Sequence, residues 1–266
     1  MRHAYSVAAV RAAEHSLLAQ QNFDDELMRL AARGVAATAT SMLDSGRHVT
    51  ILAGPGGNGG DGLYAGAFLA EQGYSVKAIL AADGAHEPAL EAFAAAGGTI
   101  AHDLGDADLL IDAVAGLAST RGLSGAPLRA YTEAKERGVP ILAVDIPSGI
   151  NADTGVAAAG AVEADVTISF GWARAGHIFA PECGAVVLCD LLLPGAPRSF
   201  AEELSATAEP VGYIANEPTI PLPYQWPTEP VLSGEQGLVT APKPVGCTGP
   251  ILDPTPGAKS TKYTGG

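Results

Sequence analysis

Three short segments carry residues whose types and spacing could do chemistry, and each of them closes an apolar run. The first is GPGGNGGDG at 54–62, directly after VTILA. Its glycines allow a backbone to approach a ligand closely and to adopt positive φ. A helix start just beyond would offer unpaired N–H groups and a partial positive charge, a natural seat for phosphate. Asn58 and Asp61 place two polar side chains inside that loop. The second segment is Asp112, closing LLID and followed by AVAGLASTRGLSG; the third is VDIPSGINADTG at 144–155, with Asp145 closing its apolar run. The glycine loop matches neither G-x-x-x-x-G-K-[ST] nor a G-x-G-x-x-G followed by an acid about twenty residues on. The oxygens of Asn58, Asp112 and Ser148 form a hard-ligand set without His or Cys. Such a set suits a main-group cation better than zinc or iron. The histidines never fall at metal-ligand spacing, and no nucleophilic triad stands out.

The elements that must position these residues can be read from periodicity. Near-continuous apolar runs predict strands over 49–53, 75–80, 109–112, 140–145, 166–170 and 185–190, with helices over 63–72, 88–95 and 126–137 between them. Apolar strands alternating with helices imply a parallel sheet covered on both faces, doubly wound with right-handed crossovers. The expected fold is therefore α/β, a doubly wound, mostly parallel sheet. In such sheets ligands bind outside the carboxyl ends of the strands. The glycine loop, Asp112 and Asp145 then share one edge. Ahead of the sheet, residues 6–43 read as two alanine-rich helices with Ser6 and Asp24 as N-caps.

Composition bounds the partners. The chain has 266 residues, 47% apolar, with a formal net charge of −14 and a pI near 4.7. That acidity disfavours nucleic acid and anionic membranes. The N-terminal stretch carries charge and lacks an apolar h-region, no window is long and apolar enough to span a bilayer, and three cysteines make no C-x-x-C pair. A cytoplasmic protein is expected. Thirteen of the nineteen prolines lie at or after Pro194, so residues 1–195 are read as the domain and 196–266 as a proline-rich tail or linker.

GPGGNGGDG, IDAVAG, VDIPSGINADTG and SFGWARAGHIFAP, in that order, resemble the NAD(P)H-hydrate epimerases over residues 6–194. The resemblance implies a Rossmann-like three-layer α/β/α sandwich, epimerisation at C6 of the hydrated nicotinamide ring of NADH or NADPH, a nucleotide-repair isomerase, and a homodimer. It implies a potassium ion on Asn58, Asp112 and Ser148. It implies substrate contacts from Gly57, Asn58, Gly59, Gly60 and Asp61, from the loop Gly116, Leu117, Ala118, Ser119, Thr120, Arg121 and Gly122, and from Asp145. The sequence departs from the family pattern at Gly57, where an asparagine is usual, at AGLAST in place of F-G-T-G-L, and at Arg174 in place of a lysine. Arginine keeps the charge but cannot exchange a proton as lysine can. STKYTGG at 260–266 resembles the opening of the dehydratase domain that follows in bifunctional members.

Epimerisation needs a group that gives and takes a proton at C6. The candidates are Asp61, Asp112 and Asp145. A cation would occupy Asp112, and a helix start would favour ionised Asp61. That points to Asp145 first and Asp61 second. Two other readings compete: an epimerase-like module that binds nucleotide or protein without turnover, and a redox enzyme using an intact dinucleotide. The missing adenine-ribose acid after the glycine loop argues against the latter.

Overall fold

The computed structural model describes residues 2–117 and 120–214. The chain opens with β1 (Arg2–Tyr5) and α1 (Val7–Leu18), and the Ser6 hydroxyl caps α1 by accepting from the Ala9 N–H at 3.3 Å. α2 (Glu26–Met42) is preceded by Asp25, not Asp24, as its N-cap. Asp25 holds a left-handed φ of 63° and caps no helix N–H. Its carboxylate instead accepts from the Tyr64 hydroxyl at 2.9 Å and faces His86 at 3.5 Å. These partners sit outside α2, which is why local cap spacing misplaced the boundary.

The alternating region follows as β2 (His48–Ala53), α3 (Gly57–Glu71), β3 (Ser75–Leu80), α4 (Glu87–Ala95), β4 (Thr99–Ile100), β5 (Leu109–Ala113), α5 (Gly125–Arg137), β6 (Ile141–Val144) and β7 (Val166–Phe170). Then come β8 (Ala173–Arg174), the short α6 (Gly176–Phe179), β9 (Ala185–Cys189), α7 (Phe200–Thr207) and β10 (Gly212–Ile214). All six expected strands form, with ends moved by no more than one residue. With β4 they make a seven-stranded parallel sheet in the order β4-β3-β2-β5-β6-β7-β9.

Period-two alternation buries both faces. Val49, Ile51, Leu109 and Ile111 pack with α2, α3 and α4, whereas Leu52, Leu110 and Ile141 pack with α5. Each fully buried Leu or Ile contributes roughly 1.5–3 kcal/mol relative to exposure. The sandwich is therefore held by near-continuous apolar strands, as parallel sheets require.

A second, three-stranded sheet has the order β10-β1-β8, with β1 parallel to β8 and antiparallel to β10. It joins the chain's opening to the segment carrying Arg174. Residues 196–214, assigned from sequence to the tail, continue the fold. Ser199 and Glu202 form a capping box for α7, and Phe200 and Leu204 are buried against the core. The S-x-x-E spacing of Ser199 and Glu202 marks this helix start within a proline-rich stretch. The proline-rich tail beyond 214 and the segment at 260–266 lie outside the described residues. Among the described residues, no helix is long and apolar enough to cross a membrane.

Candidate active site

From β2 the chain steps to β3 and β4 on one side, then returns to β5 on the other. That reversal opens a crevice beyond the carboxyl ends of β2 and β5, where doubly wound sheets bind ligands. Glycine closes the base of the crevice: a Cβ on Gly54 would overlap the Val114 carbonyl, and one on Gly59 would overlap the Gly54 carbonyl. The Gly54 N–H donates to the Ala113 carbonyl at 3.0 Å, tying the two strand ends together.

Above them lies a cavity of about 770 Å³. Gly57, Asn58 and Asp61 line it from the start of α3, Gly116, Leu117, Arg121 and Gly122 from the second loop, and Asp145 from the third. Gly59 and Gly60 do not line it; Gly59 backs onto Gly54, and Gly60 faces Met28 and His86. Thr120 is exposed and also off the wall, and Ala118 and Ser119 lie outside the described residues. Asp112 and Ser148 are fully buried and do not line the cavity. The Asp112 carboxylate accepts from the Ser148 N–H and hydroxyl, both at 2.7 Å, and from the Val114 N–H at 3.3 Å. The Ser148 hydroxyl in turn accepts from the Ala115 N–H at 3.0 Å, so this pair props up the second loop. Burial pushes the Asp112 carboxyl up, against the hydrogen bonds from Ser148 and Val114.

Asp145 is held in an uncommon conformation, φ 66°. Asp tolerates the left-handed region better than most residues, yet such a position persists only when its surroundings fix it. Here they do. Its N–H donates to the Ile168 carbonyl at 2.7 Å, its carbonyl faces His177 Nε2 at 2.8 Å, and its Oδ1 meets Arg174 Nη2 at 2.6 Å. His177 Nδ1 accepts from the Arg174 N–H at 3.0 Å, which leaves the proton on Nε2 to donate to Asp145. Burial, with Arg174 adding to it, depresses the His177 pKa to about 3, so the ring is neutral. Arg174 is 1% exposed, and its Nη1 donates to the carbonyls of Phe170 and Trp172.

Asp61 differs from expectation. α3 begins at Gly57, so Asp61 stands in the second turn and not at the helix start. Burial pushes its carboxyl well above the ordinary range, reinforced by the charges of Asp145, Glu14 and Asp25. Among the described residues, no donor is hydrogen-bonded to it. The site thus pairs an acid biased toward its protonated form with a carboxylate tied to a guanidinium. Environments that differ in this way separate acid from base roles.

Sequence reading missed the contribution of α1. Val10, Arg11, Glu14 and Leu18 line the cavity, at the spacing of one helix face. A charged pair set between Val10 and Leu18 was the available signal.

The family model described as YjeF-related protein N-terminus matches residues 24–176. An NAD(P)H-hydrate epimerase from Microbacterium testaceum is 39% identical over 203 residues, covering 71% of this chain and 78% of that protein. The chain belongs to the NAD(P)H-hydrate epimerase family. A bifunctional NAD(P)H-hydrate repair enzyme from Corynebacterium glutamicum is 37% identical over 238 residues, 77% of this chain. The chain spans 42% of that longer relative. In fold, this epimerase-family chain matches the crystal structure of yeast ynu0, with a TM-score of 0.63 at 22% identity over 79% of this chain and 96% of the other.

Proposed function

We propose that this chain epimerises the R and S forms of hydrated NADH or NADPH at C6, as an enzyme of nicotinamide-nucleotide repair. One observation carries the reading: Asp61 on α3 and Asp145 just after β6 line one cavity at the sheet's switch point. Inverting C6 requires a C6–O or C6–N bond to break and re-form on the other face. For the C6–O route, Asp61 gives a proton to the departing hydroxyl, which leaves as water. The ring nitrogen supplies the electron pair. Asp145 takes the proton from the water that returns to the opposite face, and solvent then carries a proton away from Asp145 and returns one to Asp61. The start of α3 at Gly57 gives the nucleotide phosphates their N–H donors. The competing view of a module without turnover is not favoured, because it leaves this acid–base pair without a task.

Asn58, Asp112 and Ser148 fit the potassium ion that the family resemblance implies. Asp112 is wholly buried, and no Lys, Arg or His among the described residues pairs with it. A bound cation would supply counter-charge beneath the second loop. The reading also includes a cytoplasmic, homodimeric protein.

Asp145→Asn tests the assignment, since it keeps the shape and removes the proton acceptor. It should lower kcat about a hundredfold with ligand affinity little changed. Near-normal turnover would remove Asp145 from the chemistry.

A further inference from the structure

α6 is four residues long, yet it meets the loop after β6 along most of that loop's length. The Gly176 N–H donates to the Ala152 carbonyl at 2.6 Å, and a Cβ on Gly176 would crowd the carbonyls of Asn151 and Ala152 at 2.6 and 2.8 Å. Phe179 lies so close to Gly155 that a Cβ there would fall 2.7 Å from its own. Between these contacts His177 reaches back to Asp145, where the loop begins. Glycine at 176 lets the two backbones approach, and that approach carries the His177 ring to the end of β6.

The ring is fully buried and joins two backbone groups whose polarity cannot change. The Arg174 N–H can only donate, so Nδ1 accepts from it at 3.0 Å. The Asp145 carbonyl can only accept, so Nε2 donates to it at 2.8 Å. One neutral tautomer meets both demands, and a second ring proton would set donor against donor at Nδ1. Burial, with the charge of Arg174, drives the ring pKa down to about 3 and so keeps that tautomer through the neutral range. A single side chain thereby holds the backbone of both members of the Arg174–Asp145 ion pair. Its hold on Asp145 falls where φ is 66°, a conformation that a non-glycine residue keeps only when its neighbours enforce it. The Asp145 N–H is already fixed to β7 through the Ile168 carbonyl. With the carbonyl pinned by His177 as well, the backbone sets the direction in which the carboxylate enters the cavity.

We propose that His177 is a positioning residue for the epimerisation: by donating to the Asp145 carbonyl it holds that residue in its left-handed conformation and aims the carboxylate at the reacting carbon. This rests on the epimerase reading above. Two variants separate this role from a merely structural one, because each keeps one of the two bonds. His177→Gln puts an amide N–H near the place of Nε2 and retains the donor to Asp145. His177→Asn puts an amide oxygen near the place of Nδ1, retains the acceptor for Arg174 and is too short to reach Asp145. Thermal midpoints should fall in both, since each leaves one buried backbone group unpaired. In His177→Asn, kcat should drop about tenfold with KM nearly unchanged, within the hundredfold that a misplacement of about 1 Å can cost. In His177→Gln, kcat should stay close to the wild-type value. Equal kcat in the two variants, or a lower value in His177→Gln, overturns the assignment. A second readout needs no variant: 15N spectra of the wild-type ring should show a proton on Nε2 and none on Nδ1 from about pH 5 to 8, where free histidine changes charge. The opposite tautomer, or a ring that titrates in that range, overturns the assignment even where a variant does not fold. Normal turnover in Asp145→Asn would remove the reading on which this rests. Slowed turnover there with equal kcat in the two His177 variants would overturn the positioning role alone.

Discussion

Arg174 Nη2 lies 2.6 Å from Asp145 Oδ1, and the two residues are 29 positions apart in the chain. The contact depends on β1: Tyr5 pairs with Arg174 in the small sheet, so the first residues of the chain help to set the guanidinium against the carboxylate. Arg174→Met should remove the counter-charge and leave Asp145 buried without a partner. Breaking a buried pair from one side costs about 3–5 kcal/mol. Denaturant unfolding should register that loss, and a change below about 1 kcal/mol, the scale of an exposed ion pair, would contradict a structural role for the pair.

Asp61 gives a pH signature. Its carboxyl is raised in the folded state, so the folded chain binds this proton more tightly than the unfolded chain. Its contribution to stability is complete below the ordinary carboxylate range and declines as pH rises through the raised folded value. Thermal midpoints measured from pH 4 upward should fall less steeply for Asp61→Asn than for the wild type. Wild-type turnover should weaken over the same rise as the acid loses its proton. Parallel stability curves for the two proteins would show that Asp61 is not held protonated.

The three loops at the candidate site were legible because strands buried on both faces leave long apolar runs, and Asp112 and Asp145 end two of them. The short strands were not. β8 is two residues long, too short for any period, and its register comes from β1 at the far end of the sequence. The same limit hid the role of Arg174, visible only as a departure from a family pattern. Glu14 went unremarked because a helix facing a cavity has the same amphipathic pattern as one facing solvent. The position of Asp61 relative to the helix start was missed because the first turn of α3 is glycine-rich, and glycine is a poor helix former away from such a constrained site.

The cation assignment can be checked without turnover. Potassium chloride should raise the thermal midpoint relative to choline chloride at equal ionic strength. Saturation at a hundredfold over Kd corresponds to roughly 2.7 kcal/mol. Asp112→Asn should abolish the difference between the two salts. Equal midpoints in both salts for the wild type would remove the ion from this site.

Asp153 anchors α1 through one exposed hydrogen bond to the Val7 N–H. Asp153→Ala should cost about 1 kcal/mol, as loss of a helix cap does. In a domain of this size that is roughly 2–4 °C in Tm. Hydrogen exchange should quicken in the first turn of α1 and leave α5 unchanged. Equal protection in α1 would mean that Ser6 alone holds the helix.

The most direct measurement starts from hydrated NADPH enriched in the R epimer, with the R to S ratio followed by chromatography after the protein is added. The ratio should relax to its equilibrium value far faster than in buffer, at a rate proportional to protein concentration and about a hundredfold slower for Asp145→Asn. A ratio that drifts at the buffer rate at every protein concentration would contradict the epimerase function.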